Sequence, residues 1–510
     1  MPAIDFPILT TLILLPLLGS VPALLSRPAI AYKIAMVIGC VELLLSLVPL
    51  LELDAGNPNP QLLERYAWIP SLHADFLLGV DGISALFLPL SALLGLMAVA
   101  ASRHAVSQQA ALYYALLLAL QGITQGVFCA LDLLAFFLFW ELTLVPLYFL
   151  ISLWGIGPQR RFAASQYVLL MLAGGVPLLF AILLLALNHA EAHGLTAMAG
   201  LSFDYLELLE TPMPASLQST VFLLLLAGFA VKAPLFPFHV WLPRVSMEGP
   251  AAVSALLVGL KLGAYGLLRF AIPLAPLGAQ QHMHWLSLAA ALGIIYGALL
   301  ALAQTNLRRM LAFAGISHVG YVVLGLSALN LQGAQGALLQ LLGFTVTAAG
   351  LFLLTGFLHQ RTGTTELASL GGLAQTMPRF ATLFFILGLS SMGVPGTQGF
   401  AAEYLIVLGA LRADIGLGFI ALVGTILGAA YFLGACRRAL FGPLRNRLVM
   451  ELADLRPGEL RIAVTLVLLA LLGGLFPQVL LDINASALQQ WVKRNCPAAL
   501  NVPPLTRVND

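Results

Sequence analysis

Four ionisable residues interrupt long apolar runs of this 510-residue sequence. They are Glu141 in Phe-Trp-Glu-Leu, Lys232 in Ala-Val-Lys-Ala-Pro, Lys261 in Gly-Leu-Lys-Leu-Gly and Glu403 in Ala-Ala-Glu-Tyr. His318, in Ile-Ser-His-Val, is a fifth such residue, and histidine is the side chain that most readily changes protonation near physiological pH. An ionisable group at membrane depth costs several kcal/mol, so these residues indicate a function. The chemistry that the residue types share is proton transfer.

Each of these residues taken alone has an ordinary structural explanation. A single histidine in an apolar helix is more often packed and hydrogen-bonded than a proton carrier, and one Glu with one Lys could form a static salt bridge. Two lysines and two glutamates on four runs favour function, because each unpaired charge would be expelled or neutralised. Glu42 carries less weight, since it could lie near the membrane interface, and Asp132 is expected at a helix start.

The elements that position these residues are predicted to be membrane-spanning helices. The sequence is 60% hydrophobic and 9% charged, whereas soluble domains carry about 25% charged residues. A spanning helix needs roughly 20 apolar residues, and about fourteen such runs follow one another in an all-α membrane fold. The runs are residues 8–25, 34–51, 80–101, 110–128, 131–152, 164–188, 220–242, 249–272, 285–304, 310–329, 334–358, 379–412, 415–436 and 461–479.

The distribution of basic residues predicts the orientation of these helices. Loops that follow odd-numbered helices hold sixteen of the 24 Lys and Arg residues, the opposite side holds six, and Lys232 and Lys261 lie within spans. Cytoplasmic loops carry an excess of Lys and Arg. Both termini are therefore expected on the non-cytoplasmic side, with the polar tail after Ile483 as a short extramembrane segment.

Two runs contain helix-breaking residues beside an ionisable group. Pro234 and Pro237 follow Lys232 in the seventh helix, and a Gly-Val-Pro-Gly stretch from Gly393 precedes Glu403 in the twelfth. Broken backbone at membrane depth is tolerated only inside protein or around a wet cavity. Two breaks that lie five helices apart predict two inverted repeats, helices 4–8 and 9–13, although unrelated proline kinks are the alternative. The predicted segments are 1–109 (helices 1–3), 110–272 and 285–438 (the repeats), and 439–510 (a loop, helix 14 and the tail).

Cysteine spacing and net charge argue against a metal or cofactor protein and against a nucleic-acid-binding protein. The four cysteines, Cys40, Cys129, Cys436 and Cys496, show no CxxC or Cys/His pattern. The sequence therefore predicts no iron–sulfur, haem or structural zinc site, and no cofactor in this chain. The net charge is only +2 and the basic residues are dispersed, so no nucleic acid partner is expected.

Five stretches together resemble one known family. They are Gly-Val-Asp-Gly-Ile-Ser at 79–84, Phe-Trp-Glu-Leu-Thr-Leu-Val-Pro at 139–146, Val-Lys-Ala-Pro-Leu-Phe-Pro-Phe-His-Val-Trp-Leu-Pro at 231–243, Ser-His-Val-Gly-Tyr at 317–321 and the glycine-rich stretch at 393–403. These stretches are similar to motifs of the antiporter-like proton channels of complex I, of the subunit-4 (chain M, or NdhD) type. The resemblance runs from about residue 79 to residue 477.

The resemblance implies a role for each buried ionisable residue. Glu141 and Lys232 would be the paired residues of an input half-channel, Lys261 a central relay, His318 a further relay, and Glu403 the group that exchanges protons on the output side. The chain would then be a proton-translocating subunit of a quinone oxidoreductase, without a redox centre of its own. Its partners would be the lipid bilayer and other membrane subunits, including other antiporter-like ones.

The sequence also departs from the family pattern. Arg-Val-Ser at 244–246 replaces the usual Asp-Ala-His, the stretch from Pro250 to Lys261 is about two residues short, and Phe344 stands where many relatives carry a relay histidine. These departures resemble divergent cyanobacterial copies, whose complexes take electrons from ferredoxin to plastoquinone in the thylakoid membrane. Some of those copies associate with a CO₂-hydrating subunit and support CO₂ uptake.

Several alternatives share the same charges. The resemblance to cyanobacterial copies implies the thylakoid membrane, and a bacterial inner membrane is the other location. A subunit of a multisubunit Na⁺/H⁺ antiporter or of a membrane-bound hydrogenase is similar in its channel residues. A scaffold subunit that transports nothing would be recognised by buried charges that are inert to mutation.

Overall fold

The computed structural model describes residues 6–196, 200–444 and 446–496, which are helical apart from one hairpin and the connecting loops. The α-helices are α1 (Ile8–Leu25), α2 (Pro28–Glu52), α3 (Phe87–Ala101), α4 (Ala110–Cys129), α5 (Leu133–Leu142), α6 (Leu144–Trp154), α7 (Arg160–Ala192), α8 (Tyr205–Glu210), α9 (Ala215–Lys232), α10 (Trp241–Glu248), α11 (Ala251–Leu260), α12 (Leu262–Gly266), α13 (Ile272–Leu274), α14 (Pro276–Leu302), α15 (Leu307–Ser327), α16 (Leu331–Thr362), α17 (Leu373–Thr376), α18 (Pro378–Ser391), α19 (Gln398–Ala413), α20 (Ile415–Ala439), α21 (Arg447–Met450), α22 (Pro457–Leu475) and α23 (Pro477–Asn495). The strands are β1 (Gln61–Ile69) and β2 (Ala74–Val80), paired antiparallel. Short 3-10 turns at Pro70–Leu72 and Ser102–His104 and a π-helical turn at Leu267–Ala271 complete the described elements.

The predicted membrane fold is confirmed. Thirteen helical segments of the described residues are long and apolar enough to cross a membrane, and each overlaps one predicted run. The remaining run, 379–412, is divided between α18 and α19. The inverted relation of helices 4–8 and 9–13, and the segment boundaries that follow from it, stay predictions.

The helix breaks lie where ionisable residues need space and partners. The seventh span ends as a helix at Lys232, and the chain is irregular until α10 begins at Trp241. The twelfth span is interrupted between Ser391 and Gln398. A third break, which the sequence analysis did not identify, separates α11 from α12 at Lys261. Lys232, Lys261 and Glu403 therefore stand at or near a discontinuity in a spanning helix, and Glu141 lies two residues before Thr143, which divides α5 from α6 in the fifth span.

Two elements outside the spans were missed from the sequence. The loop after α2 forms the β1–β2 hairpin, and Asp81 directly after it forms a buried ion pair with Arg269. The tail after Ile483, expected as a short polar segment, continues the amphipathic helix α23 as far as Asn495, and residues 497–510 of that tail lie outside the described residues. Its Trp491 is buried and donates a hydrogen bond to the Leu268 carbonyl at 2.9 Å. The hairpin and α23 therefore fasten the same end of the helical bundle.

Two basic residues that the orientation count placed in loops are buried. Arg269 pairs with Asp81, as described above. Arg308, at the start of α15, is 1% exposed and donates hydrogen bonds to the Gly249 carbonyl and the Ser254 hydroxyl. Both guanidinium groups form buried contacts within the protein, so they should not be counted among the loop residues that indicate which side of the membrane is cytoplasmic. The predicted position of the termini rests on the remaining loop residues and stays a prediction.

Candidate functional site

Lys232 ends α9 and points its ammonium at the neighbouring helix α5. Its Nζ donates hydrogen bonds to the Trp140 carbonyl at 2.7 Å and to the Thr143 hydroxyl at 2.9 Å. The same atom lies 3.9 Å from the centroid of the Trp140 ring, which adds a cation–π contact. Two hydrogen bonds and one ring face therefore stabilise this buried nitrogen.

Glu141 lies next to these contacts but does not join them. Both of its carboxylate oxygens are buried, and among the described residues they have no hydrogen-bond partner and no ion-pair partner within 4.0 Å. The carboxylate lies against Gly175 of α7, where a Cβ would overlap Oε1. The predicted pair of Glu141 and Lys232 is thus neighbouring, because Lys232 binds the residues on either side of Glu141, but the two groups are not in ion-pair contact.

One cavity connects Lys232 with Lys261. Its volume, counted as the space open to the centre of a water-sized sphere, is about 40 Å³, and leucine side chains of α4, α6 and α11 form much of its wall. The polar groups of the lining are Gln121, Thr124, Thr143, Tyr167 and the two lysines. The structure therefore brings the second and third predicted site residues to one shared space, as consecutive stations of a proton path require.

Lys261 occupies the unpredicted break in the eighth span. Its backbone has φ 44° and ψ 46°, the left-handed conformation, which costs a residue with a side chain about 1–3 kcal/mol. The side chain is 3% exposed, and its Nζ donates to the Gly315 carbonyl of α15 at 3.1 Å. Nζ also lies 4.6 Å from the centroid of the Phe344 ring. The structure therefore has a strained residue, rather than a regular helical one, at the third predicted site residue.

Phe344 contacts both Lys261 and His318. Its ring centroid lies 4.6 Å from Lys261 Nζ and 4.2 Å from the centroid of the His318 imidazole. A phenyl group neither donates nor accepts a proton. The position at which the sequence analysis noted a missing histidine thus touches two groups that can carry protons.

His318 and Glu403 form the last part of the site. The imidazole Nε2 is 3.1 Å from the Ser391 hydroxyl, and Nδ1 is 2.9 Å from the Gln340 amide nitrogen. The same Nδ1 lies 3.9 Å from Glu403 Oε1, within the range of an ion pair when His318 is protonated. The structure therefore brings these two predicted residues together, both almost fully buried.

The Glu403 carboxylate has a second neighbour and free space beside it. Its Oε2 accepts a hydrogen bond from the Thr425 hydroxyl at 3.2 Å. Gly393 of the break before α19 has φ 66°, and a Cβ there would approach Oε2 to 2.6 Å. Gly393 thus allows both its own left-handed backbone conformation and the position of the Glu403 carboxylate. Gly175 allows the position of the Glu141 carboxylate in the same way.

Sequence reasoning missed the neutral partners and underestimated one acid. Thr143, Gln340, Ser391 and Thr425 carry no signal of their own, because hydroxyl and amide residues are common in membrane helices. Glu42, which carried less weight in the sequence analysis because it could lie near the membrane interface, is fully buried among the helices. The sequence signal that could have identified it is its position in the middle of the second apolar run, far from either end.

Two minor expectations have different outcomes. Asp132 caps α5 as predicted, since its Oδ1 accepts hydrogen bonds from the Leu134 and Ala135 amides at 2.9 Å. The described residues contain no group of three or more His, Cys, Asp or Glu side chains placed to hold a metal ion. The expectation that this chain carries no cofactor stays a prediction.

Fold and site together define a multi-pass membrane protein whose helices enclose a row of buried ionisable groups. Residues 130–428 match the family described as NADH:quinone oxidoreductase/Mrp antiporter, transmembrane. The match covers more than half of the chain, and this protein belongs to that family. The resemblance to antiporter-like subunits of complex I is thereby confirmed.

Two relatives and two solved structures describe the similarity in more detail. NADH-quinone oxidoreductase subunit M of Rickettsia conorii is 35% identical over 492 residues, covering 94% of this chain and 97% of its own. NAD(P)H-quinone oxidoreductase chain 4 of a Synechococcus strain is 36% identical over 526 residues, covering 99% and 97%. A chain of respiratory complex I from Thermus thermophilus superposes with a TM-score of 0.87 at 33% identity, covering 96% of this chain and 99% of that one. A chain of the Mrp complex from Dietzia shares the fold, with a TM-score of 0.83 at 23% identity and coverage of 97% and 98%.

We predict that Gly175→Ala impairs proton translocation by displacing the Glu141 carboxylate. The added Cβ would overlap Oε1, and misplacing a reacting group by about 1 Å can cost up to about 100-fold in rate. The measurement is proton translocation, driven by quinone reduction, in membrane vesicles that contain the variant in its native complex. Gly428→Ala in α20 is the matched control, because no atom lies within 4 Å of its added Cβ and it gains the same helix propensity. Equal activity of the two variants would contradict the prediction.

Proposed function

We propose that this chain moves protons across the membrane as a subunit of a complex I-type quinone oxidoreductase, coupled to electron transfer in other subunits. The observation that carries the proposal is a row of ionisable residues inside the helical bundle. Glu141 has buried carboxylate oxygens, and Lys232, Lys261, His318 and Glu403 are buried as whole residues. Lys232, Lys261 and Glu403 stand at or near breaks in spanning helices. Relatives that match nearly the whole chain are named as subunits of quinone oxidoreductases. The chain contributes proton transfer to the enzyme complex and no redox centre of its own.

The first half of the path runs from Glu141 through Lys232 to Lys261. A negative Glu141 favours the proton on Lys232, and a neutral or displaced Glu141 weakens that attraction. Two unit charges about 4 Å apart interact by about 4 kcal/mol at an effective dielectric constant of 20, and the attraction between Glu141 and Lys232 is weaker because they lie more than 4.0 Å apart. Each ~1.4 kcal/mol of that attraction moves the proton equilibrium of Lys232 about tenfold. The shared cavity gives the released proton a space that leads to Lys261.

The second half of the path runs from His318 to Glu403, which exchanges protons on the output side. Contact between the two groups already exists, since Nδ1 and Oε1 are 3.9 Å apart. The connection from Lys261 passes Phe344, so transfer there requires the ring to move or the path to go around it.

We place both termini on the non-cytoplasmic side on the basis of the loop residues.

We further propose that the complex is the cyanobacterial type, which uses plastoquinone in the thylakoid membrane and, in one form, associates with a CO₂-hydrating subunit. The shortened stretch before Lys261 and the sequence at 247–265 support this subtype. Similarity to a Synechococcus chain 4 over 99% of this chain is in line with it, although relatives from Rickettsia are about equally similar. A respiratory complex in a bacterial inner membrane is the alternative.

Cation/proton exchange is the second candidate function. The Mrp chain shares the whole fold with this protein, and the same buried charges would serve either reaction. The two candidates differ in partners, because a complex I-type pump needs subunits that carry out quinone reduction.

We expect the native complex, purified in mild detergent, to contain hydrophilic quinone-reductase subunits together with this chain. Mass spectrometry of the purified complex is the measurement. A subunit similar to a carbonic anhydrase would support the CO₂-uptake form, and its absence from a complete complex would reject that form. A set of small antiporter subunits without a quinone reductase would assign the chain to cation/proton exchange instead.

We predict that Lys232→Met abolishes coupled proton translocation while the complex still assembles. Methionine fills a similar volume but carries no proton, so the path is interrupted between Glu141 and Lys261. Translocation is measured with a pH-sensitive dye in vesicles, and assembly by native gel electrophoresis. Lys493→Met is the matched control, since this lysine lies exposed on α23. Normal pumping by the Lys232 variant would overturn the proposed function.

We predict that Phe344→His supports faster proton translocation than Phe344→Leu. Histidine places a titratable group between Lys261 and His318, whereas leucine removes the ring and its cation–π contact, worth about 0.5–2 kcal/mol, without adding a proton carrier. Initial rates of proton translocation in the same vesicles give the comparison. If the histidine variant is as slow as the leucine variant, protons do not cross at this position.

A further inference from the structure

Glu42 is a buried acid that the proposed path does not use. It lies in the middle of α2 and is 0% exposed. Its Oε1 accepts hydrogen bonds from the amide groups of Gln121 at 3.0 Å and Gln125 at 3.1 Å. These two glutamines stand four residues apart on one face of α4. The other oxygen, Oε2, is buried and has no hydrogen-bond partner among the described residues.

Among the described residues no basic side chain lies within ion-pair distance, 4.0 Å, of the Glu42 carboxyl group. The helices packed against α2 are α1, α3 and α4, and none of them contains Asp, Glu, Lys, Arg or His. The titratable residues of α4 are Tyr113, Tyr114 and Cys129, all far weaker acids than a carboxyl group. An ionised carboxylate without a partner costs so much in an apolar surrounding that the group neutralises instead.

The hydrogen bonds at Glu42 fit a carboxyl group that carries a proton. Two N–H donors meet at one oxygen, the arrangement expected for the carbonyl oxygen of a neutral acid, which leaves Oε2 as the hydroxyl. Gln125 also donates to the Leu88 carbonyl of α3 at 3.2 Å, which fixes its amide in this orientation.

Gln121 connects Glu42 with the cavity of the proton path. Its amide group touches Glu42 on one side, and its side chain lines the space that Lys232 and Lys261 share on the other. Gly95 of α3 makes the position of this amide possible, because a Cβ there would overlap Gln121 Oε1. One side chain therefore lies between the buried acid and the cavity.

We propose that Glu42 is a proton-binding site that exchanges its proton with the cavity between Lys232 and Lys261. The inference rests on the proposed function and extends it to a helix outside both predicted repeats. The O–H bond of the carboxyl group breaks as an N–H bond forms at the neutral amine of a cavity lysine, Lys232 or Lys261, and the reverse transfer restores both groups. Gln121 is a positioning residue for this exchange, since its amide binds the carboxyl group and its side chain lines the cavity.

Two substitutions separate proton binding from a merely structural role. Glu42→Gln keeps the volume and the ability to bond to both glutamines but carries no exchangeable carboxyl proton. Glu42→Asp keeps the carboxyl group and shortens the side chain. A proton-binding role predicts that translocation by the intact complex falls severalfold in the Gln variant and is better retained in the Asp variant. A structural role predicts the reverse order, with native-like translocation in the Gln variant, and that outcome would overturn the inference.

Infrared difference spectroscopy gives a second readout that does not depend on pumping. We expect the C=O band of a protonated buried carboxyl group to be lost in Glu42→Gln and kept in Glu52→Gln, a control at the end of the same helix. Unchanged spectra and translocation in Glu42→Gln, with loss of pumping in Lys232→Met, would reject this inference alone. Normal pumping in Lys232→Met would instead reject the proposed function on which it rests.

Discussion

The structure depends on which hydrogen-bond partners the buried lysine and carboxyl groups find inside an apolar helical bundle. Both buried lysines donate to backbone carbonyls of neighbouring helices: Lys232 to Trp140 and Lys261 to Gly315. A carbonyl accepts a hydrogen bond from an ammonium group and from a neutral amine alike. A carboxylate in the same place would hold the charged form by several kcal/mol and make the proton hard to release. Neutral acceptors therefore let the lysines stay buried in either protonation state.

Neighbouring glycines leave space for two of the carboxyl groups. Glu141 lies against Gly175, and Glu403 lies against Gly393, so each acid has room that a side chain would otherwise fill. No hydrogen bond within the described residues holds the Glu141 carboxylate, whereas Thr425 binds the Glu403 carboxylate, whose Oε1 lies 3.9 Å from Nδ1 of His318. This difference suits an acid that modulates a lysine and an acid that exchanges protons.

The sequence predicted what depends on local signals. Apolar runs of sufficient length identified the spans, and Lys232 or Glu403 stood out because a charge in such a run is rare. Proline and glycine located two of the three discontinuities. The rest depends on which helices meet: Glu42 differs from an interfacial acid only because α4 presents two glutamines to it. The same holds for α23, whose apolar face becomes visible as a contact surface only when the hairpin end of the bundle is in place.

Lys261 and Phe344 are best understood together. A regular helix would carry Lys261 on its face, but the shortened stretch puts it at a left-handed break, where its ammonium meets a carbonyl and the Phe344 ring. A cation–π contact is worth about 0.5–2 kcal/mol, which is less than a buried ion pair, so the ring holds the lysine only weakly. The cavity on the other side offers Lys232 and the polar wall near Gln121. We infer that Lys261 belongs energetically to the first half of the path, and that Phe344 marks the point where the two halves are joined by a movement rather than by a permanent chain of hydrogen bonds.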